Sequence, residues 1–396
     1  MSHENPVFLN KVECPICKTI NEFETIKVGS YVEGGRDTDF CPKDIKWKYP
    51  RYQSYNPLVY FTAVCTNCYY TREFNNNFKE WKNDNTFRSY RLKPIKEKHL
   101  EQLSQAESVI KSLGESIDVS AYPNESAIVK LQLAIIDELL SEHKSNLDLG
   151  RFYLRIGWLY RGFDMEENPN QQFMKSMLLE LQSSFSVYKY AVQNTADEFT
   201  KYDRHLSAHF ASTGLTSDVM AMMAPFQDKF ATEIDNVQKT FQDFQNSVQV
   251  LESLSNEYLN ATSDGGSIES GGSGFANSQN FFEFMLGLKK RDSNIVVDEK
   301  EALAKSVYYY KEAFASGREI TPGNQQIQAS YLIAELSRRI GDHDSAREYF
   351  NSTIKYGQEF IYQNRNDRSR IALARKILEL AIEQGKENMN AMKEDK

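Results

Sequence analysis

From about residue 93 onwards, apolar residues recur every three or four positions and prolines become scarce. That period is typical of amphipathic helices, which bury one face against a neighbour. The clearest examples are residues 126–143 (SAIVKLQLAIIDELLSEH) and residues 147–163 (LDLGRFYLRIGWLYRGF). We therefore predict a mainly α protein whose helices follow a smaller N-terminal region.

Several of these helices have the pattern of tetratricopeptide repeats, which are stacked pairs of antiparallel helices. Ile156, Gly157 and Tyr160 stand where the first helix of such a repeat has Leu, Gly and Tyr. The pattern returns in residues 327–357, with a turn at Gly341. Such units cannot bury their faces alone, and about three must stack. We predict a tetratricopeptide-like helical body.

The middle of the chain has a different apolar pattern, in which the spacings alternate between four and three residues. This alternation is a heptad seam, which is typical of coiled-coil helices. The seam positions are Met174, Leu178, Leu181, Phe185, Tyr188, Val192, Thr195, Phe199, Tyr202 and Leu206, followed by Met223, Phe230, Ile234, Val237, Phe241, Phe244, Val248, Leu251 and Tyr258, with the polar Gln227 and Ser255 at two further seam positions of the second series. Residues 212–218 predict a short turn between the two helices, which must then run antiparallel. With about 40 residues in each helix, this arm would reach about 60 Å.

The segments that follow the arm differ in composition. Residues 263–280 are rich in glycine and serine and predict a flexible linker. Residues 277–291 (NSQNFFEFMLGLKKR) predict a short amphipathic helix. It could bind a groove on a partner or dock back onto the body, and we favour docking.

All five cysteines lie within the first 68 residues, where the helical period is absent. Cys14 and Cys17 form one C-x-x-C pair, and Cys65 and Cys68 form another. An odd cysteine count in a chain that begins without a signal peptide argues against a disulfide framework. Two such pairs supply four thiolates in a tetrahedron, which suits zinc and leaves no open position for a substrate. Because the intervening residues are β-rich, we predict a zinc ribbon with a structural zinc ion, and residues 36–56 as a loop.

Cys41 is the cysteine without a pair, and acidic residues precede it. It could be a fifth sulfur near the metal, a replacement ligand or a free buried thiol, of which the last is the common case. Asp37 and Asp39, beside Arg36, could form a catalytic carboxylate pair. Such runs more often form turns whose side chains bind backbone groups, and we favour that interpretation.

A short segment interleaves cations with aromatic residues, as single-stranded nucleic-acid sites do. Its members are Lys46, Trp47, Lys48, Tyr49 and Arg51. Alternatively, the aromatic rings cover a zinc core that has little apolar mass of its own. Acids and bases are nearly balanced in residues 1–92, so we favour packing over nucleic-acid binding.

The chain contains, in this order, the segments CPIC, RDTDFCP and NPLVYFTAVCTNCYY. Their order and spacing resemble those of a bacterial family called domain of unknown function two-two-two-five. The resemblance covers roughly residues 10–190 and implies a zinc-ribbon-like segment followed by tetratricopeptide-like helices. It implies that the metal ligands are Cys14, Cys17, Cys65 and Cys68. It also assigns residues 36–41, which we call the signature loop, to a family motif that contains Arg36, Asp37, Asp39, Phe40 and Cys41. Lys18 and Tyr69 stand where the family usually has glycine.

Charge and hydropathy narrow the function. A net charge of −8 argues against wholesale binding to nucleic acid or membranes, and no apolar run approaches the ~20 residues of a spanning helix. We therefore expect a cytoplasmic protein without membrane insertion. No nucleophile–base set or phosphate loop is evident, so we predict a non-enzymatic scaffold or adaptor with protein partners. The alternatives are nucleic-acid binding, or an enzyme that uses Cys41 and the signature loop.

The predicted division of the chain follows from these patterns. Met220, Met222 and Met223 lie near the predicted tip of the arm and could form a docking surface or close the hairpin. The predicted parts are a zinc-ribbon-like domain at 1–92, the helical body at 93–192 and 296–390, the projecting hairpin at 193–262 with helices continuing from about residue 170, and the linker at 263–280.

Overall fold

The computed structural model describes residues 6–163 and 280–394 and, between them, a subset of the residues from 190 to 250. The fold is mainly α, with a small N-terminal β region that carries the cysteines. The chain divides into two units, one formed by Met1–Asp164 with Glu269–Lys396 and the other by Met165–Ile268. None of the described helices combines the length and the apolar character needed to cross a bilayer.

Three antiparallel hairpins make up the β region of the described residues. The strands are β1 (Val7–Glu13), β2 (Ile20–Ile26), β3 (Tyr31–Arg36), β4 (Pro42–Trp47), β5 (Thr62–Val64) and β6 (Thr71–Glu73). β1 pairs with β2, β3 with β4, and β5 with β6. The turns of the first and third hairpins carry the two cysteine pairs, and the turn of the second is the signature loop.

The boundaries of the β region differ from the expectation at two places. Residues 57–60, which belong to the β-rich stretch between the cysteine pairs, form a 3-10 turn because the Asn56 side chain accepts a hydrogen bond from the Leu58 N–H and Pro57 occupies the first turn. Residues 36–56, expected as a loop, contain β4. Three of the six residues of β4 are charged. A prediction based on β-branched and aromatic residues therefore does not detect this strand.

The helices predicted in residues 126–143, 147–163 and 327–357 are confirmed. In the described residues 6–163 and 280–394 the helices are α1 (Asn76–Lys79), α2 (Leu92–Leu103), α3 (Val109–Glu115), α4 (Pro123–Leu139), α5 (Asn146–Gly162), α6 (Phe281–Lys289), α7 (Glu299–Ser316), α8 (Asn324–Ile340), α9 (His343–Gln363) and α10 (Arg368–Glu394). A π-helical turn, Phe87–Arg91, leads into α2. Gly341, with φ of 89°, ends α8, and the Asp342 side chain caps α9.

Helices α5 and α7 pack closely although they lie far apart in sequence. Tyr153 stacks on Tyr309, with ring centroids 5.6 Å apart. A Cβ at Gly157 would lie 2.8 Å from the end of the Leu303 side chain, which would have to shift to make room for it. Residues later in α5 contact residues earlier in α7, so the two helices are antiparallel. Gly157, the small residue of the predicted repeat pattern, does permit close packing. The helix that packs against it lies about 140 residues downstream. The tetratricopeptide-like assignment itself stays a prediction.

The two described segments that flank residues 164–279 meet in space. The ring centroids of Phe163 and Phe281 are 6.2 Å apart. Helix α6 buries Phe281, Phe284, Met285 and Leu288 in the same core as α4 and α5. The prediction that this short helix docks onto the body is therefore confirmed.

The unit Met165–Ile268 is described only in part. Its described residues between 190 and 250 are helical, except for Gly214, a turn residue with φ of 61°. Among the described seam positions, Tyr202 and Val237 are exposed. Most seam positions, Met220 and residues 263–279 of the linker lie outside the described residues. The antiparallel arm and the division of the chain remain predictions.

Candidate metal centre and signature loop

The two C-x-x-C turns have the same backbone hydrogen bonds. In each, the first cysteine donates its N–H to the carbonyl five residues later, at 2.8 Å from Cys14 and 3.0 Å from Cys65. The residue after the second cysteine returns an N–H to the carbonyl of the first, at 3.1 Å and 2.9 Å respectively. Two equivalent knuckles thus present their cysteine side chains to one another.

The residues after the knuckles adopt the left-handed conformation that favours glycine. Lys18 has φ of 68° and Tyr69 has φ of 62°. This conformation costs a non-glycine residue about 1–2 kcal/mol, which side-chain contacts can offset. The Lys18 ammonium lies 4.3 Å from the centre of the Trp81 ring, and the Tyr69 ring lies on Gly114 of α3. The knuckle geometry is therefore retained without the glycines of the family pattern.

We expect Gly114→Ala to destabilise the protein, because the added Cβ would lie 2.1 Å from Cγ of Tyr69. The ring must shift, and a loss of about 1–3 kcal/mol in the free energy of unfolding is expected, measured by urea denaturation. Gly287→Ala in α6 is the matched control. Its Cβ meets nothing within 4 Å, so it should be neutral or stabilising by up to about 1 kcal/mol. Equal effects of the two substitutions would contradict this packing.

The four cysteine sulfurs form a cluster of the size that a metal ion requires. The Sγ atoms of Cys14 and Cys68 are 3.7 Å apart, those of Cys17 and Cys65 are 3.4 Å apart, and all four lie within 4.8 Å of one another. Tetrahedral zinc with Zn–S bonds of about 2.3 Å places its sulfurs about 3.8 Å apart. Cys17 is partly exposed, and the other three are buried. The cluster could therefore hold a metal ion, and its all-sulfur ligand set suits zinc.

A buried asparagine supports the cluster from β2. Asn21 is 3% exposed, and its amide nitrogen lies 3.5 Å from Sγ of Cys65. Its amide oxygen accepts from the backbone N–H and the hydroxyl of Thr66, both at 2.9 Å. Hydrogen bonds among the clustered sulfurs lower the pKa of Cys65 and raise the pKa of Cys14 and of Cys68, because the neighbouring thiols share protons.

A buried His–Asp pair fixes the second knuckle to the helical body. His99 of α2 donates from Nε2 to the Cys68 carbonyl at 2.8 Å, and its Nδ1 lies 2.6 Å from Asp137 of α4. The other oxygen of Asp137 accepts the Thr71 N–H at 2.6 Å. Burial disfavours the charged ring, but Asp137 outweighs it and holds the pKa of His99 above its usual value. No spacing in the sequence singles out either residue.

The signature loop is a tight turn with a fully buried acid. Asp37 N–H donates to the Cys41 carbonyl at 2.8 Å, and Phe40 N–H donates to the Asp37 carbonyl at 2.9 Å. Phe40 adopts φ of 68°. Asp39 is 0% exposed, and its Oδ1 accepts the Cys41 N–H at 3.2 Å. The acids therefore form the turn that the sequence favoured.

Arginines from two helices neutralise both acids of the loop. Arg161 of α5 binds Asp39 through Nη2 at 2.6 Å and Asp37 through Nη1 at 3.1 Å. Arg339 of α8 lies 2.9 Å from Asp37, and the Trp158 indole donates to Asp39 at 3.1 Å. These contacts use the carboxylates to attach the second hairpin to the helical body.

Residues of α8 complete the attachment. The Tyr331 hydroxyl donates to the Thr38 carbonyl at 2.8 Å, and the Thr38 hydroxyl donates to Glu335. The Tyr331 and Phe40 rings have centroids 5.4 Å apart. Arg36, at the edge of the loop, instead pairs with Glu33 at 2.9 Å on the exposed side of β3.

Cys41 lies outside the four-sulfur cluster and is a free, half-buried thiol. Burial and then the Asp39 carboxylate raise its pKa to about 12. At pH 8 this leaves little thiolate, which is the reactive form.

We expect Cys41 to react slowly with thiol reagents in the native protein. The smaller thiolate fraction, partly compensated by the greater nucleophilicity of a more basic thiolate, predicts a rate about 10²-fold below that of an exposed cysteine at pH 8. The rate should keep rising above about pH 9. Labelling followed by mass spectrometry measures it, with Cys41→Ser as the control for other thiols. Fast, pH-independent labelling of Cys41 would contradict the prediction.

The segment that interleaves cations with aromatic residues packs its tryptophan inside the protein. Trp47 is buried, and its indole donates to the Tyr55 carbonyl at 2.8 Å. Its ring lies 5.1 Å from that of Tyr31 and 5.5 Å from that of Tyr52. Stacking on bases would require these rings to separate. The members at the surface are Lys46, Lys48, Tyr49 and Arg51.

The methionines at the predicted tip of the arm are described in part. Met222 is 77% exposed and Met223 is partly exposed, whereas Met220 lies outside the described residues.

Comparison with known proteins gave one match. A family model described as "Uncharacterized protein conserved in bacteria" (DUF2225) matches residues 7–260 and 279–381. This confirms the resemblance and extends it through α9 into α10. Neither the curated proteins nor the solved structures contained a match.

Proposed function

The chain belongs to the DUF2225 family of uncharacterised bacterial proteins, and we propose that it is a non-enzymatic scaffold or adaptor. A structural zinc ion stabilises its N-terminal hairpins, and residues of the unit Met165–Ile268 bind a protein partner.

The observation that carries this proposal is the exposure of large apolar side chains in that unit. Tyr202, Met222, Phe226 and Val237 are 68%, 77%, 73% and 55% exposed. Single exposed apolar residues are ordinary, but Met222 and Phe226 lie four residues apart on one helix, so they share a face that suits a binding surface. Methionine and aromatic side chains are also those that protein interfaces favour.

The chemistry of the N-terminal region supports a structural zinc ion. Four sulfurs fill a tetrahedral coordination shell, so no position is left for water or a substrate. The cluster is also held by Asn21 and by His99, which are buried and bound to neighbouring groups. This arrangement favours a fixed metal over a catalytic or exchanging one.

The signature loop is used for attachment, which supports a non-enzymatic role. Asp37 and Asp39 are paired with arginines, and Cys41 has a raised pKa. A catalytic carboxylate would need to be free to exchange protons, and a catalytic thiol would need to be a thiolate at neutral pH.

Point substitutions on the exposed surface test the partner-binding role. The tagged, nuclease-treated full-length protein is purified with its bound proteins, and the same is done for a variant with Met222→Glu and Phe226→Glu. We expect proteins that bind the wild type to be lost from this variant. The matched control, Thr232→Glu with Asn236→Glu, adds the same charge at exposed polar positions and should keep them.

A deletion provides the second test. Because Phe163 and Phe281 lie side by side, a short loop can replace residues 165–279 without separating the flanking helices. An unchanged set of bound proteins after this deletion would contradict the proposal. Nucleic acid recovered before nuclease treatment and lost on charge reversal of Lys46, Lys48 and Arg51 would favour the alternative function.

A further inference from the structure

A cleft of about 990 Å³ lies within the unit formed by residues 1–164 and 269–396. One wall is the second hairpin with its signature loop, and another is the segment 53–61. Helices α5, α7 and α8 provide the rest of the lining, together with Asn124 of α4. A volume of this size accommodates a small molecule.

Cations outnumber acids among the residues that line the cleft. Two acidic side chains, Glu33 and Asp37, line it. The cations that line it are Arg36, Lys43, Arg151, Arg155 and Arg161. Acids just outside the lining also pair with some of these cations, so what attracts an anion is a cation that has no acid partner.

Three of the five cations are already paired with acids. Arg36 pairs with Glu33, and Arg161 pairs with the signature loop. Arg151 lies 2.8 Å from Asp148 and 3.2 Å from Glu73. Lys43 is exposed, so water solvates its charge.

Arg155 differs from these cations because, in the described part of the chain, no carboxylate lies within salt-bridge distance of it. Its Nη1 donates to the Arg151 carbonyl at 3.0 Å, and its guanidinium lies 4.2 Å from the centre of the Phe61 ring. Its Nε is buried and has no acceptor. Burial and then the neighbouring Arg151 lower its pKa. A half-buried guanidinium in this state destabilises the protein unless an anion compensates it.

We propose that the cleft binds a small organic anion whose phosphate or carboxylate group pairs with the Arg155 guanidinium. A planar guanidinium binds either group through two parallel N–H···O bonds. Because Nε is buried, the pair of donors left for this is Nη2 and the second N–H of Nη1. The Gln325 and Gln328 amides and the Trp158 ring line the same space and offer contacts to the rest of the molecule. This site is separate from the exposed surface of the unit Met165–Ile268 and does not depend on it.

Thermal unfolding and calorimetric titration of the full-length, zinc-loaded protein test the proposal. The probes are inorganic phosphate, adenosine monophosphate and succinate, in a chloride buffer free of other oxyanions. We expect at least one probe to raise the Tm and to bind with a Kd below about 10 mM. The phosphate probes and succinate distinguish a phosphate ligand from a carboxylate ligand.

Arg155→Met separates the proposed role from general charge effects. Without a probe, this variant should have a Tm about 1–4 °C above that of the wild type, because an uncompensated charge is removed. Its affinity for the active probe should fall at least about tenfold. The control Arg36→Met removes a paired charge from the same cleft and should bind the probe as the wild type does.

Three outcomes would overturn the proposal. The first is that none of the three probes binds. The second is that Arg155→Met binds the probe as tightly as the wild type. The third is that Arg155→Met lowers the Tm without a probe, which would mean that the guanidinium is already satisfied within the protein.

Discussion

We expect Cys68→Ser to abolish binding of the proposed zinc ion and to unfold the first and third hairpins. The substitution removes one of four sulfurs that lie within 4.8 Å of one another, and serine does not replace a thiolate ligand for zinc. The apolar cluster around the knuckles is small, and the cysteines themselves are part of it. In zinc-finger peptides, zinc binding supplies about 10–16 kcal/mol of folding free energy, so its loss should exceed what this cluster can offset.

Metal analysis and hydrogen exchange measure this effect. The wild type should carry one zinc ion per chain, and Cys68→Ser close to none. The amides of β1, β2, β5 and β6 should then exchange much faster, whereas those of α8 and α9 should change little. Cys41→Ser is the matched control and should keep its zinc, because Cys41 lies outside the cluster. A zinc-free wild type with protected hairpins would refute the zinc assignment.

Asp39→Asn should reduce the free energy of unfolding by about 3 kcal/mol, the second largest effect that we expect. Asp39 is fully buried and binds both terminal nitrogens of Arg161 and the Trp158 indole. The neutral amide of the Asn side chain compensates the Arg161 charge less than a carboxylate does. Its NH₂ group would also face the N–H donors that now bind Asp39. Removing one partner of a buried ion pair typically costs about 3–5 kcal/mol, and Arg161 keeps Asp37 and Glu299, which favours the lower end.

Urea denaturation measures this loss in the free energy of unfolding. A second ion pair on the same hairpin provides the control substitution. Glu33→Gln breaks the pair with Arg36, which is largely exposed, and should cost less than about 1 kcal/mol. Zinc content should be unchanged in both variants, because the loop contacts helices α5 and α8 and not the cysteine cluster. Similar losses of stability in the two variants would contradict the structural role of Asp39.

The sequence predicts those features whose signal lies in residues close together along the chain. The two cysteine pairs and the helical periods of α4 and α5 are local patterns, and they led to the correct elements. The partners of the signature loop are not local. Arg161 lies 122 residues after Asp39, and no spacing connects them. The turn could therefore be predicted, but the helices that bind it could not.

Other features were missed for related physical reasons. β4 carries three charges and alternates weakly, so its pairing with β3 decides its conformation more than its own propensity. His99 occurs in a charged, helical segment and is recognisable as a support of the knuckle only through its contacts with Asp137 and the Cys68 carbonyl. Arg155 reads as one more polar position of an amphipathic helix. Only the three-dimensional structure shows that no carboxylate among the described residues lies within salt-bridge distance of it.

The sequence distance between the signature loop and α8 has a consequence for synthesis on the ribosome. The four cysteines are complete once residue 68 has emerged, so zinc can bind early. Thr38 binds Glu335, which follows 297 residues later. At about 5–20 residues per second, the nascent chain waits about 15–60 s for that partner. Cotranslational folding should therefore order the knuckles first and the signature loop last, so that prematurely terminated chains leave Asp37 without Arg339 and remain targets for quality-control proteases.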